Sequence, residues 1–105
     1  MGVNDVSLQA KIYELIRDLK DPMMRIDVAS SISFLADVYR LGRASEEDVY
    51  NDLVDVCMAV LKHTMPDAAE GELRRMAEEK AKELMDIIRI TGTARRISRK
   101  YGLTF

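Results

Sequence analysis

Apolar side chains recur every three or four residues along nearly all of this chain, and that period admits helices and little else. Leu8, Ile12, Leu15 and Leu19 step by four, three and four, with Ile16 widening the stripe and Lys11, Glu14 and Asp18 opposite. A second stripe holds Val28, Ile32, Leu35 and Tyr39, flanked by Ala29, Phe34, Ala36 and Val38. Its polar side is Asp27, Ser30, Ser33, Asp37 and Arg40. Serines and β-branched residues lower its helix propensity, but residues 32–41 lack the alternation a strand needs. The third stripe, with Val49, Tyr50, Leu53, Val54, Val56, Cys57, Val60 and Leu61, is the widest, so it predicts the most buried helix. The fourth runs Leu73, Ala77, Ala81, Leu84 and Ile88, with Met76, Met85 and Ile87 alongside.

The punctuation between stripes is equally local. Asp5 is the expected first N-cap. Asp21-Pro22 closes one helix and opens the next, because aspartate suits the cap and proline the first turn. Gly42 is a C-terminal stop, and Ser45 followed by Glu46, Glu47 and Asp48 is a capped acidic first turn. Pro66 ends the third helix, Asp67 caps the fourth, and Gly92 ends it. A short fifth segment follows, from Thr93 to Gly102. The expectation is one all-α domain over residues 1–105, with helices at about 5–20, 23–41, 46–65, 68–91 and 94–101. It is an antiparallel bundle of four helices with a short basic C-terminal fifth helix, because connections this short make sequence neighbours pack together.

Function is constrained mainly by exclusion. A single cysteine, Cys57, removes disulfide frameworks and cysteine-cluster metal sites. Cys57 and the only histidine, His63, project about 120° apart and ~9 Å apart along one helix, so a nucleophile–base pair is not expected. Cys57 is read as a buried, inert thiol. No Glu-x-x-His repeat supports a carboxylate-bridged metal centre, since the residue three before His63 is Val60. The acid pairs Glu14/Asp18, Asp48/Asp52 and Glu79/Glu83 fall on solvated faces. The glycines are isolated helix punctuation, not a phosphate loop. The methionines, among them Met23, Met24, Met58, Met65, Met76 and Met85, are read as core filler before an adaptable groove. No catalytic residue, cofactor or metal is expected.

The longest apolar run, residues 56–61, is far below the ~20 residues of a membrane span. With no signal-peptide pattern at the start, a soluble cytoplasmic chain is expected. Charged residues at 32%, arginine over lysine, and few amides suggest a thermophilic source.

Charge is distributed unevenly. Residues 1–86 carry 11 basic and 18 acidic side chains, while residues 87–105 carry Arg89, Arg95, Arg96, Arg99 and Lys100 and no acid. In the last segment Ala94, Ile97 and Tyr101 share one helical face and the cations the other. These five cations are the candidate contacts to nucleic-acid phosphate or to an acidic partner. Pairing with acids of the chain itself competes with both. Residues 93–104 resemble the first helix and turn of a helix-turn-helix, with Ser98, Gly102 and Leu103 in the turn positions. No recognition helix follows up to Phe105, so base readout is not expected. The reading is a non-enzymatic helical interaction module, an accessory subunit or adaptor of a nucleic-acid-associated complex, with a protein partner or a homo-oligomer such as a homodimer. The alternatives are a low-specificity nucleic-acid binder using the basic segment, and a small-ligand carrier or enzyme.

Overall fold

The structure, a computed structural model, describes the backbone of residues 3–101 and the side chains of residues 7–90. The described residues form four helices and no strand: α1 (Val3–Ile16), α2 (Pro22–Arg40), α3 (Glu46–Thr64) and α4 (Glu70–Tyr101).

Local chemistry accounts for the α2 and α3 boundaries. Asp21 sits in an extended conformation, and its Oδ1 accepts the Met23 N–H at 2.9 Å while Pro22 opens α2. At the other end, the Gly42 N–H donates to the Tyr39 carbonyl and the Arg43 N–H to the Val38 carbonyl. This is a Schellman closure, and Gly42 supplies its left-handed residue at φ 72°. Ser45 Oγ accepts the Asp48 N–H at 3.1 Å and caps α3.

Four boundaries differ from expectation. α1 starts at Val3, so Asp5 is inside the helix, and it ends at Ile16. Residues 17–20 are a connection, begun by a turn in which the Leu19 N–H donates to the Ile16 carbonyl at 3.0 Å, and it still buries Leu19. α4 begins at Glu70, because residues 65–68 form a turn closed by the Ala68 N–H on the Met65 carbonyl, leaving Asp67 outside the helix. The expected fifth helix over 94–101 is not set off as its own element: the α4 backbone is continuous through Gly92 to Tyr101. An interior glycine costs a helix only about 1 kcal/mol.

The four stripes converge on one core. Ile32, Leu53, Leu84, Ile88, Val49, Val60 and Cys57 are its largest fully enclosed side chains. α3 and α4 form the most extensive pair, as the wide third stripe predicts. Two ion pairs fix helix alignment. Lys11 Nζ lies 2.8 Å from Glu83 Oε2 and Arg89 Nε 2.8 Å from Glu46 Oε1, while Leu15, Val60 and Leu61 line one cleft with Met76 and Lys80, so α1 and α3 both run opposite to α4. No described helix is long and apolar enough to cross a membrane.

Candidate functional site

Of the five candidate cations, the structure places one side chain. Arg89 bonds Glu46 Oε1 through Nε at 2.8 Å and Asp86 Oδ1 through Nη1 at 2.9 Å. Its neighbours hold the guanidinium more firmly protonated, chiefly through the Glu46 hydrogen bond and then that to Asp86. The same Arg89 hydrogen bond draws the Glu46 carboxyl below its ordinary range. Arg89 therefore joins α4 to the first turn of α3. The side chains of Arg95, Arg96, Arg99 and Lys100 lie outside the described residues.

The thiol and the imidazole stay apart. Cys57 is fully enclosed in the core, and burial pushes its thiol up to about 12. Lys80, reaching across from α4, opposes that shift weakly. His63 is exposed and borders an open cleft of about 730 Å³ at the end of the bundle where α1 and α3 finish and α4 begins. Glu14, Asp18 and Asp21 line it together with Arg17, Lys20 and Lys80. The Thr64 hydroxyl at its edge donates to the Val60 carbonyl at 3.2 Å. Charges of both signs thus line the opening, and the only thiol is walled off from it. Among the described residues no group of three or more His, Cys, Asp or Glu is placed to hold a metal ion. Of the acid pairs, Glu79 bonds Arg75 and Glu83 pairs with Lys11.

The least ordinary surface is on α2, where two sequence expectations fail. Phe34, expected beside the core stripe, is 64% exposed, whereas the Arg40 side chain, expected on the polar face, is only 10% exposed. Val28, Ile32, Leu35 and Ala36 face inward within a sector of about 100°. Met23, Ile26, Ser30, Phe34, Asp37 and Leu41 fall within a sector of about 80° on the opposite side. The four large apolar members of that stripe are 58–65% exposed. α2 therefore presents a second apolar face to solvent.

The signal was in the sequence and lay beneath the stronger one. Positions 23, 26, 30, 34, 37 and 41 step by three, four, four, three and four, which is a helical stripe in its own right. Residues 28–36 are also the longest run without a charged side chain, in a chain that is 32% charged. An outward face with so little charge is cheap to dehydrate, and interface cores are depleted in charge for that reason. Tyr13 and Ile90 are the other large apolar side chains exposed among the described residues, and they lie on α1 and α4.

No family model matches the chain, and neither does any curated protein or solved structure.

Proposed function

We propose that this chain is a non-enzymatic helical interaction module, an accessory subunit or adaptor of a nucleic-acid-associated complex, and that it docks a protein partner on the outer face of α2. The observation that carries this reading is the exposure of Met23, Ile26, Phe34 and Leu41 on one stripe, opposite the core face of the same helix. At about 200 Å² for a full large side chain, these four present roughly 500 Å² of apolar side chain, with Ser30 and Asp37 between them. That is the size of the largest apolar patch on a typical monomer, and such patches are often functional. The separation of Cys57 from His63 fits a role without covalent chemistry.

The nucleic-acid association rests on the five cations and no acid of residues 87–105. A second reading, direct low-specificity binding to phosphate, rests on the same segment. Arg89 serves the fold through Glu46 and Asp86, which leaves Arg95, Arg96, Arg99 and Lys100 to carry it.

A photo-crosslinking amino acid in place of Phe34, in the native cell, tests the docking reading. Protein adducts at position 34, but not with the same group at the exposed Glu78 of α4, are the expected result. Absence of any protein adduct at position 34 would overturn it.

A further inference from the structure

We infer that the cleft at the end of the bundle where α1 and α3 finish binds a small amphipathic carboxylate, its head on Lys80 and its apolar body on Leu15, Leu61, Met65 and Met76. No residue of α2 lines this cleft, so it is a separate surface from the docking face above.

The charges around the cleft divide into those already engaged and those that are not. Each of its acids faces a donor or a cation. Asp21 Oδ1 accepts the Met23 N–H, Asp18 lies 3.9 Å from Arg17 Nε, and Glu14 lies 3.7 Å from Lys11 Nζ. Lys20 and Lys80 have no ion-pair partner among the described residues. Lys20 is exposed, whereas Lys80 is half-buried, and its charge reaches the thiol of Cys57 in the core. Glu14 and Glu83 share the seam between α1 and α4 with Lys80, yet both pair with Lys11. A partly dehydrated ammonium without a counter-ion is the group that an incoming anion stabilises.

The surrounding wall selects what the anion is attached to. Leu15, Met65 and Met76 are half-buried and Leu61 is buried, so apolar surface adjoins the ammonium. The thioethers adapt to the shape of an apolar guest. A volume of about 730 Å³ is that of a small-molecule site. A phosphate dianion fits less well. Asp21 already takes an N–H at the start of α2, and Glu70 and Glu72 occupy the first turn of α4. Neither helix start at this end is therefore open to an anion. The three acids of the lining also oppose a second negative charge more than a first. One ammonium beside an apolar wall calls for a singly charged head on a hydrocarbon body.

Methyl resonances test this, because Met65 and Met76 line the cleft while Ile26 and Ile90 are exposed away from it. Octanoate is the probe, octanamide its neutral isostere and octylammonium its charge-reversed counterpart. A ligand this small in an open site should dissociate at about 1 mM. Octanoate should shift the Met65 and Met76 signals and leave those of Ile26 and Ile90 in place. It should bind about five-fold more tightly than octanamide, which is what one partly exposed ion pair supplies at most. Lys80→Met keeps the stem and removes the charge, so it should bind octanoate and octanamide alike. Lys80→Gln serves the same end if that variant fails to fold. The inference is overturned by the absence of shifts at Met65 and Met76, or by equal shifts at Ile26 and Ile90. Octanamide or octylammonium binding as tightly as octanoate, or a preference that survives loss of the Lys80 charge, would overturn it as well. None of these outcomes bears on the crosslink at position 34, so the two readings fail separately.

Discussion

Cys57 shows what burial does to a reactive group. The thiolate, not the thiol, reacts, and the apolar surroundings of Cys57 lift its pKa to about 12 against the ordinary 9.0. A thiol reagent should therefore label native protein only as fast as the protein unfolds, and label it at once in denaturant. The shift also carries a sign. The folded state holds the proton where the unfolded chain loses it, so the stabilising contribution is complete below pH 9.0 and declines between 9.0 and about 12. Its slope approaches about 1.4 kcal/mol per pH unit. Cys57→Ala should cost about 1–2 kcal/mol at neutral pH through lost packing, and its urea stability should fall less steeply above pH 9.0 than that of the natural chain. Gly42 is the opposite kind of position: a Cβ there would meet nothing within 4 Å, yet its φ is 72°. Gly42→Ala should cost about 1–2 kcal/mol from backbone strain alone, and Gly42→Asn less, as the midpoints of urea denaturation would report.

At the scale of an element, α2 is the helix on which reading and structure part. Its inward stripe and both ends were legible, because Val28, Ile32 and Leu35 keep helical spacing and Asp21, Pro22 and Gly42 are local signals. Its rotation at the margins was not. Phe34 lies within reach of the core stripe on a helical wheel, and only the positions of the neighbouring helices decide which flank is covered. The two faces should therefore separate in a mutational test. Ile32→Ala, at a site with no exposure, should cost about 2–5 kcal/mol in chemical denaturation and leave association otherwise intact. Phe34→Ala should change monomer stability by no more than about 0.5 kcal/mol and weaken association. A large stability loss at Phe34 would mean that its ring is covered in the monomer.

The whole molecule spreads wider than its mass requires. Its accessible surface of 6815 Å² exceeds the ~6,000 Å² of an average monomer of 11.9 kDa, and its radius of gyration of 14.5 Å exceeds ~13 Å. The 32 residues of α4, about 48 Å of helix, account for the long dimension of 51 Å. The Arg89–Glu46 pair places residue 89 beside the first turn of α3, so α4 continues about 18 Å past that helix. That continuation belongs to the basic end of a chain whose remainder is acidic. If four cations there meet duplex phosphate, log affinity should fall against log salt with a slope no steeper than about −3.6. Raising salt from 50 to 200 mM would then weaken binding about 100-fold. Replacing Arg95, Arg96, Arg99 and Lys100 by alanine should abolish that slope, while Arg89→Ala should leave it nearly unchanged. No binding to single or double strands at 50 mM salt would remove the direct-binding reading.

The sequence by itself determined what depends on neighbours within a turn or two. Helical period, the Asp21 and Ser45 caps and the Gly42 stop all act through backbone groups two to five residues away. The core list followed as well, since Leu8, Ile12, Leu53, Ala77, Leu84 and Ile88 have only one apolar face to bury. The tertiary structure decided what depends on groups far along the chain. Arg89, 43 positions along the chain from Glu46, could pair with it only once the segment between them had folded back. Lys80 reached the Cys57 surroundings from another helix, although no cation stands in the adjacent turn. The outward face of α2 was decided in the same way: a helix with apolar residues on both sides turns toward the core the face that its neighbours cover best, and the other stays exposed.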